Sequence, residues 1–192
     1  MNLLALGILG SGKGSNCRAI LEQIRHGKLK AEARLIVSDV FDAGILEIAR
    51  EFGVPNLYFP PGKFRTRLEP ATETELVKLL RESGVELVVL AGFMRVLKEP
   101  MLQAFPRRII NLHPSLLPKY PGVEAWKQAL VAGEKITGCT VHYVDAGIDS
   151  GEIIANRNVA ILPGDTAESL HARIQLEERS LYPEVIAQFA EK

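Results

Sequence analysis

Hydrophobic and polar positions change rhythm at regular intervals along this chain. Leu3 to Leu9 is an almost unbroken apolar run that opens directly onto a glycine-rich turn, as a strand covered on both faces would. Ser15 to His26, closed by Gly27, and Ala43 to Phe52, closed by Gly53, carry the spacing of helices, and the apolar segment Ala33 to Val37 lies between them. This alternation predicts βαβ units. A short strand is expected at Asn56 to Phe59, then a helix from about Thr72, where Glu75 three residues on suggests a capping box, to Gly84. Glu86 to Ala91 is apolar without alternation and again suits a parallel strand. The pattern continues with a short helix near Pro100 to Phe105, a strand at Arg108 to Leu112 and a helix near Val123 to Val131. Strands at Thr137 to Val144 and Glu152 to Ile161 and a final helix from about Thr166 complete it. The expected fold class is α/β, a doubly wound, mainly parallel sheet with a Rossmann-like nucleotide-phosphate turn.

Composition narrows the class. The 192 residues are 47% hydrophobic, enough for one sizeable core, and no repeat, long linker or low-complexity tract divides them, so residues 1–192 read as one domain. Lys and Arg number 23 against 23 Asp and Glu, a balance that argues against life on a nucleic-acid backbone. The apolar start from Met1 to Leu9 lacks a basic flank and is too short to span a bilayer, so it reads as a buried strand and no membrane partner is expected. Cys17 and Cys139 lie far apart in no CxxC pair, which points to free thiols in a reducing, cytoplasmic compartment.

In doubly wound sheets ligands gather at the carboxyl ends of the strands, so the residues following each strand are the ones to read for chemistry. Gly10-Ser11-Gly12-Lys13-Gly14-Ser15-Asn16 joins the first strand to the first helix, where backbone N–H groups and the helix dipole favour a phosphate. Gly7 to Lys13 matches the first part of a Walker A loop, but Gly14 stands where a magnesium-binding Ser or Thr belongs, which excludes a nucleoside triphosphatase. The dinucleotide fingerprint fails at Ser15, where its third glycine belongs, and Asp39 alone is a weak ribose ligand. The competing reading is a tight turn with Ser15 and Asn16 as helix caps.

Asn111 and His113 alternate with Leu112 and so share one face at the end of their strand, an amide beside an imidazole. That pair suits oxyanion stabilisation and proton transfer at a carbonyl. Neither Ser115 nor either cysteine has the neighbours of an activated nucleophile. Pro114, Pro118 and Pro121 stiffen the loop that follows, and Leu117-Pro118 is a candidate for a cis bond. In Asp145-Ala146-Gly147-Ile148-Asp149-Ser150-Gly151 either aspartate suits an Asx turn and either could charge a histidine; the sequence leaves the choice open. Gln175 and Glu178 share a face of the last helix, where Glu177, Glu178 and Arg179 also fit a solvated charged surface. The four histidines, His26, His113, His142 and His171, are scattered without metal-ligand spacing, and no metal is expected.

These motifs in this order resemble the folate-dependent glycinamide ribonucleotide formyltransferases. The resemblance runs from Gly10–Asn16 through Ala91-Gly92-Phe93-Met94-Arg95-Val96-Leu97 and Asn111–Gly122 to Asp149-Ser150-Gly151, essentially the whole chain. It implies the formyltransferase fold and transfer of a formyl group from 10-formyltetrahydrofolate, as cosubstrate, to the glycyl amine of 5′-phosphoribosylglycinamide in purine biosynthesis. By resemblance, Asn111, His113 and Asp149 are the catalytic trio, which settles the carboxylate on Asp149. Gly14, Ser15 and Asn16 match the phosphate loop; Gln175 and Glu178 match helix positions facing the phosphate and glycinamide ends of the acceptor. Met94, Arg95, Val96, Leu97, Ile109 and Val144 are similar to the segments bordering the folate pterin. Lys13 is an unusual cation beside the turn, and Asp145 to Ile148 is variable folate-wall sequence.

The trio specifies chemistry better than acceptor, because formyl-folate hydrolases and methionyl-tRNA formyltransferases carry it too. A chain of this length has no room for the extra domains of either, and its zero net charge gives no tRNA footprint. A non-catalytic sugar-phosphate binding module is the alternative outside enzymes. Oligomeric state has no signature in the sequence.

Overall fold

The computed structural model of the chain describes residues 3–191, so Met1 and Asn2 of the expected first strand lie outside the described residues. Strands β1 (Leu4–Leu9), β2 (Ala31–Ser38), β3 (Asn56–Tyr58), β4 (Leu87–Leu90), β5 (Ile109–His113), β6 (Ile136–Tyr143) and β7 (Ile153–Ala160) form one sheet in the order β3-β2-β1-β4-β5-β6-β7. β1 to β5 pair in parallel, while β6 and β7 run antiparallel at one side. Every residue of β1 is buried, as its unbroken apolar run requires of a central strand. Helices α1 (Ser15–Arg25), α2 (Gly44–Glu51), α5 (Ala125–Val131) and α6 (Ala167–Ala190) cover one face. Helices α3 (Pro70–Glu82) and α4 (Glu99–Ala104) cover the other.

The strand residues divide between the two layers by alternation. Leu87 and Val89 of β4 enter the core beneath α1, α2 and α6, and Val88 and Leu90 enter the one beneath α3 and α4. Cys17 and Cys139 are free and buried, and burial pushes each thiol up to about 12.

One local expectation fails. α3 begins at Pro70, two residues before Thr72, and no side chain caps it, so the Thr72–Glu75 capping box does not form. Proline's fixed φ suits a first helical turn, which starts the helix earlier than a hydroxyl cap would. Glu73, in the same turn, is buried and accepts the Lys98 N–H at 2.6 Å at the start of α4.

The topology fixes where a ligand can sit. From β1 the chain winds outward through β2 and β3, then returns to β4 on the opposite side of β1. β1 and β4 stay paired to their last residues, but the chain leaves β1 toward α1 on one face and β4 toward α4 on the other, and the parting connections leave a crevice at the carboxyl ends of the strands. α6 is braced there by Tyr182, fully buried, whose hydroxyl reaches the carbonyls of Leu90 (2.9 Å) and Ile110 (3.1 Å).

Candidate active site

A cavity of about 630 Å³ opens at this crevice. Its first wall is the turn after β1. Gly14 precedes α1 with φ 79°, and a Cβ there would come within 2.8 Å of the Ile45 Cα, so the turn closes only on glycine. No side chain caps α1, contrary to the reading of Ser15 and Asn16 as caps, and its leading N–H groups remain for an anion. Asn16 instead donates to Glu178 Oε2 at 3.0 Å, while Asn16 Oδ1 is buried without a partner. Burial raises the Glu178 pKa, against the Asn16 bond and the Arg179 charge, so this carboxylate does not belong to a solvated face. Its neighbour Glu177 does, pairing with Arg157 at 3.4 Å. Ser15, Gln175 and the exposed Lys13 line the same wall.

The floor is built by the end of β5. Asn111 and His113 point the same way, and the loop after β6 brings Asp149 to both. His113 Nδ1 lies 3.3 Å from Asp149 Oδ2, and Asn111 Nδ2 donates to Asp149 Oδ1 at 3.4 Å. The other ring nitrogen of His113 lies 2.8 Å from the Tyr120 carbonyl. A carboxylate and a carbonyl only accept, so each calls for an N–H on the ring nitrogen that faces it. Burial alone would raise the Asp149 carboxyl, but its bonds to His142 and the Gly122 N–H, with the charge of the two histidines, hold it below the usual range. Asp145, by contrast, is exposed and accepts from Gly147 N (3.0 Å) and Ser150 Oγ (2.8 Å), a closed Asx turn. Ser115 donates to the Lys119 carbonyl at 2.6 Å and holds the loop in which Leu117–Pro118 is cis.

The opposite wall is apolar. Met94, Val96, Leu97 and Val144 line it, and Met94 and Ile148 are each 62% exposed, bare surface of the kind that covers a flat aromatic ligand. Arg95 also lines it, but its guanidinium turns away: Nε donates to Asp39 at 2.6 Å, and Nη1 to the carbonyls of Phe64 (3.0 Å) and Arg65. Asp39 is thereby committed to Arg95 and to Ser11 Oγ (2.5 Å) and is no ribose ligand. Ile109 is a correction. It is buried in the core under α3 and α4 and does not line the cavity; its carbonyl only receives the Val144 N–H at 3.0 Å.

Three lining residues had no signal of this kind in the sequence. His142 of β6 pairs with Asn111 across the antiparallel ladder, at a shift in register beside Val141, and puts Nε2 3.2 Å from Asn111 Nδ2 and 3.6 Å from Asp149 Oδ1. Such irregularities re-aim side chains, and strand register is not written in one strand's pattern. Trp126 and His171 stack and line the cavity beside Gln175, brought together by packing of α5 on α6. Among the described residues no group of three or more His, Cys, Asp or Glu could hold a metal ion, and no helix is long and apolar enough to cross a membrane.

Comparison with known proteins gives a consistent picture. The family described as formyl transferase matches residues 5–186. The chain is 42% identical over 181 residues to the phosphoribosylglycinamide formyltransferase of Bacillus subtilis (strain 168), covering 94% of this chain and 92% of that one. It is 38% identical over 184 residues to the enzyme of the same name from Escherichia coli (strain K12), covering 96% and 86%. The crystal structure of glycinamide ribonucleotide transformylase 1 from Symbiobacterium toebii superposes with a TM-score of 0.94 at 47% identity, over 99% of this chain and 89% of that one.

Proposed function

The chain belongs to the formyl transferase family, its activity is phosphoribosylglycinamide formyl transfer in purine biosynthesis, and on that premise we propose that 10-formyltetrahydrofolate is its donor and Asn111, His113 and Asp149 its catalytic groups. The observation that carries this assignment is the convergence of the three side chains on the floor of a cavity walled by an uncapped helix N-terminus on one side and bare apolar surface on the other.

The acceptor's phosphate lies at the start of α1, against the turn Gly14-Ser15-Asn16 and the Gln175 amide. Its amine end lies at Glu178, the carboxylate that Asn16 holds at 3.0 Å. The amine attacks the formyl carbon, and negative charge grows on the formyl oxygen. Asn111 Nδ2 donates to that oxygen, and His113 Nε2–H exchanges the Tyr120 carbonyl for it. Asp149, held ionised, keeps the imidazolium in place and takes, through a water, the proton released by the attacking nitrogen. His113 gives its own proton to the departing folate nitrogen as the old carbon–nitrogen bond breaks, and the proton taken up by Asp149 then restores the imidazolium. The apolar wall from Met94 to Leu97, with Val144, receives the pterin through main-chain groups and ring contact.

Acceptor identity is tested by offering the purified chain 10-formyltetrahydrofolate with buffer alone, with phosphoribosylglycinamide or with methionyl-tRNA. Rapid deformylation is expected only with phosphoribosylglycinamide, because binding energy from the distant phosphate aligns its amine. Equal turnover in buffer would make the protein a hydrolase, and transfer to tRNA alone would overturn the acceptor.

A further inference from the structure

The chemistry above leaves the Trp126–His171 pair without a role. The two rings lie nearly parallel, 5° apart with centroids separated by 3.7 Å, and both line the cavity. One helical turn beyond His171 stands Gln175, whose Nε2 is 3.3 Å from the imidazole Nε2. Gln175 in turn stands three residues before Glu178, which holds Asn16 of the turn after β1. The pair therefore backs the part of α6 that faces the acceptor.

A neutral imidazole presents one N–H and one lone pair, so its Nε2 dictates which end of a neighbouring amide it meets. Burial holds the His171 pKa below its ordinary value, which keeps the ring neutral. With the lone pair at Nε2, the arrangement in which the amide nitrogen stands 3.3 Å from the ring, Gln175 donates one N–H to it and turns its oxygen toward the cavity's free space. With the hydrogen at Nε2, the amide makes a half-turn, its oxygen accepts, and both of its N–H bonds are free. The dianion of a phosphate monoester only accepts hydrogen bonds, so it selects the second arrangement.

Resting on the acceptor reading above, we propose that His171, clamped against Trp126, is a positioning residue that fixes the Gln175 amide with its N–H bonds toward the acceptor's phosphate, and so helps select a phosphorylated acceptor. The stack supplies the fixity. An unsupported imidazole on a helix surface samples several rotamers, and each departure would release the amide; a ring held face to face against an indole pre-pays that ordering.

The test compares wild type with His171→Phe, which keeps a stacked ring and deletes both nitrogens, and His171→Gln, whose amide can restore a partner near the Nε2 position. For His171→Phe, KM for phosphoribosylglycinamide is expected to rise about five- to twentyfold, the loss of one to two ordinary hydrogen bonds, with kcat within about twofold of wild type. KM for 10-formyltetrahydrofolate, and KM for an acceptor lacking its 5′-phosphate, should not move; the first also shows that the variant is folded. His171→Gln should recover most of the loss. Trp126 is the only tryptophan of the chain, so its emission should change on titration with ribose 5-phosphate, with an affinity weakened in His171→Phe by a factor matching the KM change. An unchanged KM, or an equal rise for phosphorylated and dephosphorylated acceptors, overturns the proposal. Failure of wild type to turn over phosphoribosylglycinamide would instead overturn the acceptor reading, and the ribose 5-phosphate titration still judges the phosphate arrangement on its own.

Discussion

Asp149 occupies left-handed backbone at φ 50°, a conformation that aspartate tolerates better than most residues, and three contacts hold it there: His113, His142 and the Gly122 N–H. In the proposed scheme the trio acts on charge that appears during transfer, so Asn111→Ala, His113→Ala and Asp149→Ala should each lower kcat with little change in ground-state binding. Loss of one oxyanion donor costs roughly 2.7 to 4 kcal/mol, so steady-state kinetics should show kcat down about 10²- to 10³-fold for Asn111→Ala. Near-wild-type turnover in any variant removes that residue from the scheme. Asp149 also predicts a pH dependence of stability. Its folded pKa lies below the ordinary value of 3.8, so its contribution is fully present above that pH and disappears as pH falls through the folded value. Asp149→Asn keeps the backbone preference and removes the charge. Denaturant titrations should find the variant less stable than wild type at neutral pH, with the gap closing below pH 3.8; a gap independent of pH would mean that packing, not charge, is lost.

Elements were legible where pattern alone decides them. β1 and β4 are unbroken apolar runs because both faces are covered, and the α/β beat follows from that. The start of α3 was not, because Pro70 at the first turn outweighed the hydroxyl of Thr72. Nor was the place of His142, since pairing register and the irregularity beside Val141 depend on the partner strand. The glycine-rich turn after β1 shows how far one residue can be read. Its glycines suggest backbone donors, but the reason Gly14 cannot change lies in α2, 31 positions on at Ile45, where an added Cβ would meet the main chain at 2.8 Å. Gly14→Ala should therefore both strain the backbone, at about 1–2 kcal/mol for the left-handed conformation, and displace the turn from α2. Isothermal titration should show loss of the ribonucleotide with much smaller change for a folate analogue. Equal loss of both ligands would mean that the whole crevice, not the turn, has shifted.

At the scale of the molecule, the two halves of the cavity are tied together by one buried ion pair. Asp39, at the end of β2, has a side chain only 2% exposed and Arg95 one 16% exposed; the pair bridges the β2 end to the apolar wall and, through Ser11 Oγ, to the glycine-rich turn after β1. Ser11 Oγ also receives the Met94 N–H at 2.8 Å, so the turn and the wall share one network. The sequence showed Asp39 and Arg95 as separate ligand candidates, because a contact between residues 56 positions apart leaves no local trace. The network makes a specific demand on mutants. Truncating either partner leaves the other charge buried without compensation, which costs roughly 3–5 kcal/mol, whereas removing both leaves no such charge. Arg95→Ala and Asp39→Ala should each lower the unfolding free energy by about that amount. The double variant should cost clearly less than the two added together, a coupling of about 0.5–3 kcal/mol in a double-mutant cycle read by denaturant titration. If Arg95 instead served the folate directly, Arg95→Ala would weaken folate binding while leaving stability nearly intact, and the two substitutions would add. Additivity within about 0.5 kcal/mol would therefore dissolve the tie and return the guanidinium to the ligand.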